Sequence, residues 1–228
     1  MESDYEAQKI GTVEGLGDIY RVVAPLDKQL HAFADKCIHT LAAPDEVAQI
    51  HLAGVSNISS RTSMASIALK GGKTILVRDS ILMNPSTAYY AVRAHATGRY
   101  LGIGREVYEA AEALAERQES MAPEDRSALI ISQRGNFILT PEMPESRFIL
   151  RKQTEPYFDK FTNGTIKFKN LSGDSDSQAI INYMRFRNPH LVYVGFSRLI
   201  CSYWGLEEFG SAFGVRSVTG KARTRKNL

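Results

Sequence analysis

The stretch SDSQAIINYMRFR, residues 175–187, together with the Asn188-Pro189 that follows it, decides how the second half of this chain is read. Ser175 or Asp176 stands where a helix N-cap is wanted, because a short polar side chain there accepts a hydrogen bond from the exposed first-turn amides. On that reading one helix runs through Arg187. Asn188-Pro189 then starts another, since Pro at the first helical position loses no amide that the helix would use. Val192, Phe196, Leu199, Ile200 and Tyr203 would form its core stripe, ending at Gly205.

Working outward, the same AsnPro signal at 84–85 opens a helix that Gly98 stops near Thr97, and GREVYEAAEALAERQ carries Val107, Ala110, Ala111 and Leu114 on one stripe with an acidic opposite face. Pro25 opens a helical stretch through Leu30, Phe33 and Ile38, and a shorter helix follows from Pro44 through His51. Two places change period. Ile67 and Leu69 precede Gly71-Gly72, with Ile75 and Val77 after it, which is a hairpin signal. SALIISQRGNFILTP reads as a second hairpin with its turn near Arg134-Gly135-Asn136, and SRFILRK as a further strand. In TIKFKN, Ile166 and Phe168 face one way and Lys167 and Lys169 the other.

The expected fold is therefore α+β and helix-rich: helical lobes with two or three short β-hairpins and extended terminal arms. Residues 1–24 are expected as an N-terminal arm and 25–213 as the core, with room for two lobes joined near 120–147. Residues 214–228, GVRSVTGKARTRKNL, read as a basic tail.

Charge divides the chain unevenly. From Arg147 onward there are 14 Lys and Arg against 6 Asp and Glu, a net of +8, while the first 146 residues hold 14 against 19, a net of −5. Such asymmetry suggests a polyanion on the basic side, or contact between the unlike faces of neighbouring copies. Two cysteines, an acidic N-terminus with no apolar signal segment, and no apolar run near the ~20 residues of a membrane span point to an intracellular protein, or one packed in a virion, without membrane contact.

Catalytic and cofactor motifs fail on their spacing. Gly72-Lys73-Thr74 resembles the end of a phosphate loop, but Ile67 stands where its first glycine belongs and a strand follows in place of a helix. Gly195-Phe196-Ser197 lacks the closing glycine of a nucleophile elbow. His31, Cys37, His39 and His51 have no paired-ligand spacing, so neither a metal nor any other cofactor is expected.

The basic half carries the functional expectation. Arg147, Arg151, Lys152, Lys167, Lys169, Arg185, Arg187, Arg198, Lys221, Arg223, Arg225 and Lys226 are the candidate phosphate ligands, and Tyr183 and Tyr193 the candidate base-stackers. Cations neutralising phosphates beside stacking rings are how single-stranded nucleic acid is held without reading its sequence. The expected function is a self-assembling coat or nucleocapsid-type protein, of the viral kind among others, binding single-stranded RNA and forming homo-oligomers through its arms. The alternative is an enzyme acting on nucleic acid or nucleotides, with a site drawn from His95, Arg99, Glu106 and Glu109.

Overall fold

The structure is a computed structural model, and the residues it describes are 5–97, 99, 101–131, 135–170, 179–187, 189, 199–202 and 206–217. Among the described residues, eleven strands make one mixed sheet. They are β1 (Gln8–Val13), β2 (Gly17–Ala24), β3 (Ser60–Ala68), β4 (Thr74–Val77), β5 (Gly102–Ile103), β6 (Ala128–Ile131), β7 (Asn136–Leu139), β8 (Ile166–Asn170), β9 (Ala179–Phe186), β10 (Leu199–Ser202) and β11 (Gly210–Arg216). The hydrogen-bonded order is β1-β2-β11-β3-β9-β10-β8-β7, with β4 also on β3, β6 on β4, and β5 on β9.

Helices cover both faces. One apolar layer joins β2, β3, β4 and β9 to α1 (Leu26–Ala34), α3 (Pro85–Ala96) and α4 (Arg105–Arg117), through Leu26, Leu30 and Phe33, then Ala88 and Ala91, then Tyr108, Ala111 and Ala115. The other joins β7, β8, β9 and β10 to α2 (Pro44–Leu52), α5 (Pro144–Leu150) and α6 (Thr154–Phe161), with Val47, Phe148 and Tyr157 at its centre.

The helix-rich expectation is overturned by this sheet. Residues 179–186, expected as helix, are β9, and Leu199–Ser202 is β10; the intervening 190–198 lie outside the described residues. β9 misleads because it sits between two core layers: Ile181 and Tyr183 enter one, Met184 and Phe186 the other. A strand buried on both faces loses its period-2 alternation and reads as a plain apolar run. Ser146–Lys152, expected as strand, is instead the end of α5 and a 3-10 turn at Arg151–Gln153.

The extended arms are corrected too. Residues 8–24 form β1 and β2, turned by Gly15 and Gly17 at positive φ, and Gly214–Arg216 are the last residues of β11. β2 and β11 pair antiparallel from Ala24↔Gly210 to Asp18↔Arg216. Gly17 has to lack a side chain, since a Cβ there would lie 2.4 Å from the Arg216 carbonyl oxygen. The β3–β4 hairpin matches the glycine-turn reading. β6 and β7 are strands as expected but do not pair with each other: β6 adds to β4 and β7 to β8.

Candidate functional site

Cross-strand register assembles the site. Phe186 of β9 is level with Ser60 on β3 and Leu199 on β10, and Leu199 is level with Phe168, itself level with Phe137. That row is buried and faces α5 and α6. One residue along, the next row reads Arg61, Arg185, Ile200, Lys169, Asn136. Because side chains alternate across a pleated sheet, the same pairing that packs aromatics on one side sets cations on the other.

Lys167 and Lys169 are exposed on β8, and Asn136 and Ile138 on β7, with Ile138 at 46%. Arg185 and, just beyond β9, Arg187 are half-buried. Burial chiefly, and then the like charge of Arg185, lowers the Arg187 pKa below the usual guanidinium range. The four strands β7 to β10 carry no acidic residue at all.

A buried arginine anchors its inner edge. Arg61 lies at a register shift between Arg61 and Ala65, where Thr62 reaches across to donate to the Met184 carbonyl at 3.0 Å. A bulge of this kind re-aims a side chain. The Arg61 guanidinium donates to the Ala24 carbonyl at 2.8 Å and the Glu208 carbonyl at 2.9 Å, and stands 5.7 Å over the Tyr183 ring. Burial lowers its pKa, with Tyr183 opposing the shift and Arg185 adding to it. Gly210 makes room for it, since a Cβ there would come within 2.6 Å of the guanidinium carbon.

The segment leading into β11 is held at this edge. Leu26 donates its amide to the Leu206 carbonyl at 3.0 Å, and the Gln29 side-chain amide donates to the Gly210 carbonyl. His95, at the end of α3, faces Glu207 with Nδ1 and Oε2 3.5 Å apart. Burial pushes the His95 pKa down, Glu207 pulls it back up, and Arg61 adds to the fall.

Of the residues singled out by sequence, Lys167 and Lys169 lie on β8, and Tyr183 and Arg185 lie on β9 with β10 between, Arg187 following just past the end of β9. Tyr183 is 4% exposed and lies beneath Arg61. Arg147 and Lys152 are exposed on α5 and the turn after it, on the opposite side of the sheet, and Arg151 lies near enough to the buried Arg78 to act on it as a like charge. Tyr193, Arg198, Lys221, Arg223, Arg225 and Lys226 lie outside the described residues. The four residues of the enzyme alternative are not gathered: Glu109 pairs with Arg105 at 3.0 Å on the surface of α4, Arg99 and Glu106 are exposed, and His95 faces Glu207.

Arg61, Asn136 and Ile138 escape the sequence reading, because only cross-strand register places Asn136 and Ile138 beside the lysines and Arg61 beside Arg185. Among the described residues, no group of three or more His, Cys, Asp or Glu is placed to hold a metal ion, and no helix is long and apolar enough to cross a membrane.

No family model matches the chain, and no curated protein matches it. One similar solved structure is described as the accommodation of massive sequence variation in Nanoarchaeota by the C-type lectin fold. It superposes with a TM-score of 0.57 at 13% identity, over 95% of this chain and 100% of that one. The fold found is therefore of the C-type lectin kind. The expectation of a nucleocapsid-type RNA coat is corrected by that match: the similar structure has the C-type lectin fold and lends the coat no support, and residues 8–24, expected within an assembly arm, are β1 and β2 of the sheet.

Proposed function

We propose that the chain is a binding module of the C-type lectin fold that recognises an anionic group through the exposed face of β7 and β8, with Arg185 of β9 two strands away. The observation that carries this reading is the register row Arg61–Arg185–Ile200–Lys169–Asn136, flanked by Lys167 and Arg187, on strands without a single acidic residue. Like charges set side by side raise one another's energy, and an anion relieves that repulsion. The similar structure is described as one in which this fold accommodates massive sequence variation. That suits a module whose sheet face changes without disturbing its core. An intracellular setting fits two free cysteines, one exposed at Cys37 and one buried at Cys201.

Retention on a polyanionic matrix tests the reading. The protein is expected to bind at low salt and elute as salt rises. Lys167→Glu with Lys169→Glu should abolish retention, while Arg147→Glu with Lys152→Glu should retain most of it. Equal losses in the two double variants would mean that net charge, and not this face, does the binding.

A further inference from the structure

β7 ends the hydrogen-bonded order of the sheet and pairs with β8 on one side only. Among the described residues, nothing bonds to the other side of Asn136–Leu139. Such an edge turns the N–H and C=O of every second residue to solvent, ready for another strand. The margins at β1 and β6 are blunted. β1 has a register shift between Lys9 and Gly11, with Lys9 paired to Asp18 at 2.7 Å, and Gln118 accepts the Ser127 and Ala128 amides at the start of β6, at 2.7 and 3.2 Å. β7 is short, but it runs in unbroken register from Asn136↔Lys169 to Leu139↔Ile166 and carries no lysine, proline or bulge.

Resting on the anion-binding reading above, we propose that the edge of β7 takes an extended acidic peptide by strand addition, with the peptide's carboxylates on the lysine side of the sheet. Main-chain pairing supplies affinity for any extended segment, and the flanking side chains decide which one. Ile138 is level with Lys167 and Asn136 with Lys169. Both lysines are exposed, and among the described residues neither has an ion pair. The backbone of an added strand lies about 9.6 Å from β8, a gap that a lysine and a glutamate side chain close between them, the lysine stem lying over the exposed Ile138. Alternate residues of the same peptide turn to the side of Phe137, which is 8% exposed, so a β-branched residue there extends the apolar row. A second copy of this chain fits less well. Antiparallel pairing of β7 with its counterpart would set Lys167 and Lys169 of both copies on one continuous face, with no carboxylate on the joined strands.

Strand addition requires the peptide's backbone as well as its charge, and two fluorescent probes separate these. One carries Glu-Thr-Glu-Val-Glu-Thr between Gly-Ser flanks; the other is the same core with its backbone amides replaced by esters, which keeps the charge and side chains and removes every N–H donor. Anisotropy titration is expected to show roughly thirtyfold weaker binding of the ester probe, the worth of two backbone hydrogen bonds. Hydrogen exchange over Asn136–Leu139 should slow when the amide peptide is bound. Lys167→Gln with Lys169→Gln, both positions being exposed, should weaken the amide peptide about tenfold with the circular dichroism spectrum unchanged, and an unchanged affinity would overturn the acidic occupant. Equal affinity of the two probes, or unaltered exchange in β7, would overturn strand addition while leaving anion binding intact. The same holds if heparin, a sulfated polysaccharide, binds in a Lys167- and Lys169-dependent way and neither probe does. If neither probe nor heparin binds, the anion-binding reading itself fails.

Discussion

Cys37 is held at φ 58°, a left-handed conformation that few side chains adopt readily. It closes α1: the Cys37 amide donates to the Ala34 carbonyl at 2.9 Å, and the Ile38 amide donates to the Phe33 carbonyl at 3.0 Å. That is a Schellman ending, and Phe33 and Ile38 are both buried where it docks on the sheet. Glycine is the residue this position favours, so Cys37→Gly should stabilise the fold by roughly 0.5–1 kcal/mol, read as a higher urea midpoint with an unchanged slope. His95 makes a second residue-scale prediction. Burial holds its pKa below the ordinary 6.5, so the folded state binds fewer protons than the unfolded one at mildly acid pH. The stability that neutral His95 provides is complete above pH 6.5 and declines as pH falls below it. Urea melts at pH 7.5 and 5.5 should show that decline, and His95→Asn should reduce it.

At the scale of elements, β8 shows what sequence alone makes legible. Its alternation of Ile166 and Phe168 with Lys167 and Lys169 is the pattern of a half-buried strand, and the structure buries the first pair and exposes the second. The helices α1 to α4 are equally readable, since each has one apolar side and a proline or glycine signal near its start. β9 is not. Its residues are buried from Ala179 to Met184, and Ile180, Met184 and Arg185 recur at a spacing that suits a helix as well as a strand. The site shares that fate. Its lysines are visible as a polar face, but their nearness to Arg185 and Arg61 depends on β10 pairing parallel with β8 and antiparallel with β9, which no local pattern encodes. For the same reason, the fold should be indifferent to its cations: replacing Lys167 and Lys169 should change stability by less than about 0.5 kcal/mol. A larger loss in a urea melt would show that the exposed face is also structural.

For the whole molecule, the decisive contact joins positions nearly two hundred residues apart. β2 and β11 zip together over Asp18–Ala24 and Gly210–Arg216, and the β3 side of β11 then meets the rest of the sheet. Deletion of residues 1–20 removes β1 and half of β2, taking away the buried Ile19 and Tyr20 and leaving the end of β11 unpaired. Burial of each such side chain is worth about 1.5–3 kcal/mol, against a typical total of about 5–15 kcal/mol. The truncated chain is expected to lose its cooperative thermal transition.

The interleaving of a packed aromatic row with a solvent-facing row has a consequence for how such a protein changes over generations. Asn136, Ile138, Lys167 and Lys169 are exposed, while Phe137 and Phe168, their alternates in the pleat, fill the interior. Substitution at the first set is expected to change the surface and leave folding almost untouched, whereas substitution at the second opens cavities in the core. A combinatorial library confined to those four outward positions should therefore be populated mainly by folded members that differ in surface charge.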